Sequence, residues 1–255
     1  MMGDRWWSRL ADESAQALAI VLKDVRVYYF QPPMIMFGLL MPFFIFFSFS
    51  VKRGLGVQCS MASLLALTTF FTASSAGPVI LPLERRERTY DRLLTAPMSV
   101  WTLLLAKALV GTFFGVVTSL VALLIGVVFL HLRVGQAPLL ALALLLNTAA
   151  FSGLGLAFAS LPGQSVGSIM MPSTLIRWPL LFISGVFIPL SEMAPWARAV
   201  SYLSPLTYGQ DLMHHALDRQ GVQHPALDVA VLALAVVAFL LLAGYLHRVS
   251  RRVGS

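Results

Sequence analysis

Residues 108–132 read ALVGTFFGVVTSLVALLIGVVFLHL, and these 25 consecutive residues include no Asp, Glu, Lys or Arg. An α-helix crosses the hydrocarbon core of a bilayer with about 20 apolar residues. Four further intervals of 19 to 43 residues are also free of charge, and the longest is broken by Pro162-Gly163-Gln164, which predicts two helices there. The predicted fold is therefore an all-α polytopic membrane protein with six transmembrane helices. The predicted spans are residues 33–50, 59–82, 100–130, 138–160, 166–189 and 226–246.

The composition of the whole chain also favours a membrane protein. Of 255 residues, 58% are hydrophobic and 11% are charged, whereas about 25% of the residues in globular proteins are charged. A net charge of +7 would suggest nucleic-acid binding in a soluble domain. Here the charges are few and dispersed, so we expect no nucleic-acid partner. The single cysteine, Cys59, excludes an intramolecular disulfide, a four-cysteine zinc site and an iron–sulfur cluster.

The distribution of basic residues predicts the orientation in the membrane. Cytoplasmic connections carry an excess of Lys and Arg. The connections on one side of the six spans hold eleven of these residues and those on the other side hold five. We therefore expect both termini in the cytoplasm. The five residues on the outer side are Lys52, Arg53, Arg133, Arg198 and Arg219.

Residues 1–30 are predicted to form a cytoplasmic or interfacial helix. Residues 1–26 mix four acidic with four basic side chains and lack an apolar core, so we expect no cleavable signal peptide. Apolar side chains recur at steps of three and four, which is typical of an amphipathic helix. Such a helix fits the inner membrane surface, and the alternative is a cytosolic helix that packs on a partner. The recurring residues are Trp7, Leu10, Leu18, Val21, Val25 and Tyr28.

The inner connection, residues 83–99, reads LERRERTYDRLLTAPMS and concentrates charge. On a helix its acidic side chains would form one stripe and its basic side chains an adjacent one. A helix of this kind can dock in a polar groove of another protein, with complementary charge on both flanks. The alternative is a solvated helix that only enforces the topology. The stripes are Glu84, Glu87 and Asp91 on one side and Arg85, Arg88 and Arg92 on the other.

The outer connection, residues 188–225, mixes prolines and aromatic residues with apolar ones, and its apolar stretches are not long enough to span the membrane. This composition predicts two short helices in the outer leaflet, with a break near Ser204-Pro205. Irregular backbone at membrane depth is tolerated only against protein or a water-filled cavity. We therefore expect this hairpin to cap or line a pathway.

The sequence lacks the motifs of several enzyme classes. It contains no glycine-rich phosphate-binding loop ending in Lys and Ser or Thr. No histidine lies within a predicted span, which disfavours an intramembrane protease. His214 and His215 point about 100° apart on a helix and are poor joint ligands of a metal. We predict no catalytic residue and no metal site.

Polar residues inside the predicted spans have two interpretations. Small and polar stripes, such as Gly111, Gly115 and Thr118, usually serve close packing of helices, and the alternative is a substrate path. Arg177 lies about eleven residues into the fifth span, where an arginine costs roughly 2.5 to 3.5 kcal/mol. We expect Arg177 to face the bundle interior or a cavity. The alternative is that the span is shifted and Arg177 reaches the interface.

Two segments resemble the permease subunits of type 2 ABC exporters. One is the segment from Glu84 to Ser99, followed at Lys107 by the start of a glycine-rich helix. The other is ISGVFIPL at residues 183–190, which continues through Pro195-Trp196 to YLSPLTY at residues 202–208. The similarity covers nearly the whole chain and is closest to the branch of drug, antibiotic, polysaccharide and nodulation-factor exporters. The chain departs from the family pattern after Asp211, where His214 and His215 stand in place of an arginine.

The resemblance implies one transmembrane domain over residues 1–255, located in a bacterial or archaeal plasma membrane. The domain would pair with a second copy of itself and bind two ABC ATPase subunits on its cytoplasmic face. ATP and Mg²⁺ would be bound by those ATPases, so this chain would hold no cofactor and would not be an enzyme. The implied function is export of an amphiphilic, lipid-like, glycan or drug substrate by alternating access at the dimer interface.

The resemblance also implies roles for particular residues. Residues 83–99 would be the coupling helix that the ATPases move, and residues 188–225 would be a re-entrant outer hairpin. The implied coupling residues are Glu84, Arg85, Arg86, Glu87, Arg88, Thr89, Asp91 and Arg92. The candidate residues of the substrate pathway and its gate are Arg177, Ser184, Phe187, Trp196, Tyr202 and Tyr208.

The alternative to ATP-driven export is a function of a different class. An ion-coupled carrier or a channel would need no ATPase partner. Carriers often show internal repeats and paired intramembrane acids, and neither pattern is visible in the sequence. Copurification with an ATPase would separate the two functions.

Overall fold

The computed structural model describes residues 3–28, 36, 40–44, 57–87, 89, 99–161, 165–188, 190, 192–217 and 221–253, with side chains for all of these except 3–13, 28, 57–60, 130 and 251–253. Every regular element within these ranges is helical, which confirms the all-α class. The helices of seven or more residues are α1 (Gly3–Tyr28), α2 (Val57–Arg86), α3 (Val100–Leu130), α4 (Ala137–Ala159), α5 (Val166–Ile183), α6 (Pro195–Ser201), α7 (Pro205–Leu217) and α8 (Pro225–Val253).

Five of the described helices, α2, α3, α4, α5 and α8, are long and apolar enough to cross a membrane. They correspond to the second through sixth predicted spans. The first predicted span, residues 33–50, falls outside the described residues except for residue 36 and residues 40–44. The total of six spans therefore stays a prediction.

The ends of these helices follow from local side-chain chemistry. Ser99 caps α3 by accepting a hydrogen bond from the Thr102 amide at 3.0 Å. At the other end of α3, His131 adopts a left-handed conformation with φ of 50°. Helix α5 ends at Ile183, six residues before its predicted limit, because the chain turns at Gly185 with φ of 89°.

Helix α2 forms the centre of the bundle. It is buried along its most apolar stretch, whereas less than a third of the corresponding stretch is buried in α3, α5 and α8. Helices α3, α4, α5 and α7 all contact it. An α2 enclosed by protein can carry polar side chains, because neighbouring helices supply hydrogen-bond partners. Asn147 of α4, for example, donates to the Thr69 hydroxyl at 2.6 Å.

Small residues allow α2 and α4 to cross closely. A Cβ atom added at Gly155 would lie 2.4 Å from the carbonyl oxygen of Ser74. A Cβ at Gly111 of α3 would lie 2.2 Å from the Ser152 hydroxyl of α4. The glycine stripe of α3 thus packs against α4, as the packing interpretation predicts.

Candidate functional site

One end of the bundle joins three helices through buried charges. The ion-pair cluster consists of Lys23 and Asp24 of α1, Glu84 in the last turn of α2 and Lys107 near the start of α3. Lys107 Nζ lies 2.6 Å from Asp24 Oδ2 and 2.7 Å from Glu84 Oε1. The side chains of Asp24 and Glu84 are fully buried, and that of Lys107 is 2% exposed. A buried lysine is therefore held between two buried carboxylates.

Lys23 lies on the solvent-facing side of the ion-pair cluster. Its ammonium contacts Asp24 Oδ1 at 2.9 Å and also pairs with Glu84, and its side chain is 39% exposed. Burial opposes the charged form of Lys23, but hydrogen bonds and charge attraction from Glu84 and Asp24 outweigh that cost and raise its pKa. Two ammonium groups thus face two carboxylates, and the cluster is formally neutral.

The sequence did not single out this cluster. Lys107 enters the sequence analysis only as the start of a glycine-rich helix, and Asp24 is not one of the recurring apolar residues of α1. In the structure, Asp24 shares the buried face of α1 with Ile20, one turn earlier, while Leu18 and Leu22 are exposed. The sequence feature that could have revealed the cluster is the lone Lys107 near the start of an apolar span, because a charge in that position requires a partner.

The predicted coupling residues occupy different environments. Glu84 was predicted to belong to an acidic stripe facing solvent or a partner, and this part of the prediction is wrong because its carboxylate is enclosed by the two lysines. Arg85 donates hydrogen bonds to the carbonyl oxygens of Leu161 at 3.0 Å and Ala159 at 3.2 Å, at the end of α4. These two residues are therefore anchors of the helix ends.

The two residues of the coupling segment that directly follow Arg85 are more exposed to solvent. Arg86 and Glu87 are exposed, and Thr89 donates to the Glu84 carbonyl at 3.3 Å. The predicted partners in the stripes, Arg88, Asp91 and Arg92, lie outside the described residues. The exposed charges therefore begin directly after the ion-pair cluster.

Arg177 lies inside the bundle between α5 and α2, which is the first of its two predicted placements. It is 1% exposed. Its Nη1 donates to the Ser75 hydroxyl at 2.9 Å and its Nη2 to the Ser74 carbonyl at 2.9 Å, and Nη2 also donates to Ser173. No carboxylate among the described residues pairs with Arg177, so neutral oxygens stabilise its charge.

The other candidate gate residues lie after α5, and none of them is among the hydrogen-bond partners found for Arg177 in the described part of the chain. Ser184 and Phe187 are buried, and the Ser184 hydroxyl donates to the Leu181 carbonyl at 2.7 Å. The Tyr208 hydroxyl donates to the Tyr202 carbonyl at 3.1 Å. Trp196 is 74% exposed on α6.

Helix α5 also presents an apolar surface that no described residue covers. An open groove of about 600 Å³ runs along residues 167–178. Met171 and Leu175 are 80% and 75% exposed there. Beyond the groove, the rings of Trp178 and Phe182 stack with centroids 5.6 Å apart, and Phe182 lies 5.3 Å from Phe187. The sequence prediction included Phe187 but missed Trp178 and Phe182.

Several known proteins are similar to this chain in sequence. A family model described as ABC-2 type transporter matches residues 15–217. The chain is 30% identical over 162 residues to a Pyropia yezoensis protein named as the transport permease ycf38, with 59% of this chain and 53% of that protein covered. It is 24% identical over 194 residues to Nodulation protein J of Neorhizobium galegae, with 72% and 71% covered.

A third relative comes from Escherichia coli strain K12. The chain is 21% identical over 151 residues to a protein named Probable multidrug ABC transporter permease YbhR, with 59% of this chain and 41% of that protein covered. The match to the Escherichia coli protein and that to the Pyropia yezoensis protein thus span about half the length of each relative.

Proposed function

Because the chain belongs to the ABC-2 type transporter family, we propose that it is the membrane subunit of an ATP-driven exporter. It is a multi-pass membrane protein of the permease type, and permeases of this family generally work with ABC ATPase subunits. In the proposal, two copies of the chain pair in a plasma membrane with both termini in the cytoplasm. Two separate ATPase subunits bind ATP and Mg²⁺ and drive the transport.

The observation that best supports this proposal is the ion-pair cluster at one end of the bundle. Glu84 ends α2, and its carboxylate binds Lys107 of α3, which in turn binds Asp24 of α1. The charged connection begins immediately after Glu84. A displacement of that connection by a closing ATPase would therefore be transmitted to three helices at once, because buried ion pairs resist separation. We assign residues 83–99 as the coupling segment on this basis.

We place the partner chain and the substrate pathway along the uncovered face of α5. This face has exposed methionine and leucine side chains and stacked aromatic rings, and an apolar surface of that kind suits an amphiphilic or lipid-like substrate, a lipid-linked glycan or a drug. The candidate gate in this proposal consists of Ser184, Phe187, Trp196, Tyr202 and Tyr208, which follow α5 in the chain. Arg177 positions α5 against α2 from within the bundle. Helices α6 and α7 form the re-entrant hairpin in this proposal.

One observation favours the alternative of an ion-coupled carrier. Although the sequence showed no paired intramembrane acids, Asp211 of α7 and Asp228 of α8 lie side by side in the structure. Paired acids of that kind occur in proton pathways. A carrier would transport its substrate with an ion gradient alone, so the energy source separates the two functions.

The coupling assignment predicts an uncoupled variant. We expect charge reversal of Arg88 and Arg92 to Glu to lower the substrate exported per ATP hydrolysed by about tenfold, because the proposed contact with the ATPase would become repulsive. Arg85 is left intact because it holds the end of α4. The measurement is transport and ATP hydrolysis in the same proteoliposomes.

The matched control for this prediction is Arg133→Glu, which reverses an exposed arginine at the opposite end of the bundle. We expect it to leave the ratio of transport to hydrolysis unchanged. If the Arg88 and Arg92 variant kept the wild-type ratio, the segment would serve topology alone.

A further inference from the structure

A second buried cluster lies at the end of the bundle opposite the ion-pair cluster. It consists of Asp211 and His215, one turn apart on α7, and Asp228 in the first turn of α8. One ligand atom from each residue lies within 4.8 Å of the other two. The cluster brings two carboxylates and an imidazole together in a region from which solvent is largely excluded.

Asp228 is the unusual member of this cluster. It is fully buried, and neither of its carboxylate oxygens has a hydrogen-bond partner among the described residues. An ionised carboxylate without a partner is costly to bury, and the adjacent carboxylate of Asp211 adds repulsion. The position of Asp228 at a helix N-terminus offsets only part of this cost. A bound cation or a proton would therefore stabilise the buried Asp228 carboxylate.

The other two side chains are already oriented. Asp211 accepts hydrogen bonds from the Val222 amide at 2.8 Å and the Gln223 amide at 2.7 Å. The His215 Nε2 atom lies 2.7 Å from the Gln223 carbonyl oxygen, to which it donates. Outer contacts of this kind fix the orientation of metal-binding carboxylates and imidazoles. The loop before α8 thus holds two potential ligands in place.

We propose that Asp211, His215 and Asp228 bind a divalent transition-metal cation, for which Zn²⁺ is the best match. Two carboxylate oxygens and one imidazole nitrogen are a ligand set that Zn²⁺ accepts, with water completing the coordination. Imidazole disfavours Ca²⁺ and Mg²⁺, which prefer oxygen ligands. Ligands about 2.1 Å from a tetrahedral ion lie about 3.4 Å apart. One ligand atom of each residue lies within 4.8 Å of the other two, so the side chains would move inward on binding the ion. His215 would bind through Nδ1, because its Nε2 donates to the Gln223 carbonyl oxygen.

The cation would join α7 to α8 at the start of α8. It would neutralise Asp228 and fix the loop at residues 221–224, and so hold the short helix α7 in its position against the bundle. This role depends on the geometry of the cluster and not on the proposed export function. A negative result in a transport assay would therefore not contradict the proposed metal site.

The test is binding of Zn²⁺ to the full chain, purified in detergent with a tag that contains no histidine. A chromophoric chelator competes for the ion, and thermal unfolding is followed with and without Zn²⁺. We expect one saturable site per chain and a higher unfolding temperature with Zn²⁺, because the ion binds the folded state. Asp228→Asn and His215→Gln should each weaken binding at least about tenfold and abolish the temperature shift.

Two matched controls keep the test specific. His224→Gln removes an exposed histidine from the same loop, and Arg219→Gln removes the nearest basic residue in the sequence, which lies outside the described residues. Both should retain Zn²⁺ binding. Absence of saturable binding, or binding that survives both Asp228→Asn and His215→Gln, would overturn the proposal.

Discussion

Replacement of Lys107 with methionine is expected to destabilise the folded chain by about 3 to 5 kcal/mol, because breaking a buried ion pair leaves unpaired charge inside the protein. Lys107 binds both Asp24 and Glu84 within 2.7 Å, and all three side chains are buried. Methionine matches the length of the lysine stem but offers no charge. Lys23 would remain as the single cation facing two carboxylates. The free energy of unfolding is measured by titration with a denaturing detergent.

A double variant shows whether charge is the cause. In Lys107→Met with Glu84→Gln, one carboxylate is removed together with the lysine, so we expect the loss of stability to be smaller than the sum of the two single losses. Arg133→Met removes an exposed cation and should change stability little. Equal stability of Lys107→Met and the wild type would show that the ion-pair cluster does not hold α1, α2 and α3 together.

Gly155→Ala is the second change for which we expect a large effect. The added Cβ would lie 2.4 Å from the carbonyl oxygen and 2.8 Å from the carbonyl carbon of Ser74. These are backbone atoms of the central helix α2 and cannot rotate away. The Ser74 carbonyl also accepts a hydrogen bond from Arg177 at 2.9 Å. Separation of α2 from α4 would therefore disturb the buried arginine as well, and we expect a loss of about 1 to 3 kcal/mol or more.

Gly167→Ala provides the matched control for this change. Gly167 also lies in a helix, but a Cβ added there meets no atom within 4 Å. We expect this variant to be neutral or more stable by up to about 1 kcal/mol, because alanine favours helix more than glycine does. Both variants are compared in the same detergent by the same titration. A Gly155→Ala protein as stable as Gly167→Ala would mean that the two helices do not cross at this point.

The transmembrane helices could be predicted closely because their signal is local. The charge-free interval at residues 108–132 predicts a span at residues 100–130, and the structure places α3 at Val100–Leu130, with Ser99 and His131 at its ends. The early end of α5 was missed because Gly185 stops the helix through its backbone conformation. Hydropathy does not detect such a turn, since the residues after it remain apolar.

The charged clusters could not be predicted because their members are distant in the sequence. Asp24 and Lys107 are separated by 83 residues, and their contact depends on how α1 packs against α3. Asp228 lies at the start of the sixth predicted span, and only the fold brings Asp211 beside it. The sequence left two placements open for Arg177, and only the fold shows that Ser74 and Ser75 of α2 bind it. Residue type indicated that these charges need partners, while packing decided which partners they have.

In the proposed function, this chain transports its substrate with energy from a separate ABC ATPase. The most direct measurement is substrate transport in proteoliposomes that contain the chain and its copurified ATPase, with ATP, with a nonhydrolysable ATP analogue, or with an ion gradient alone. We expect transport only when ATP is hydrolysed, and loss of transport when the ATPase is omitted. Transport by the chain alone under an ion gradient would contradict the proposed function and identify the protein as a carrier.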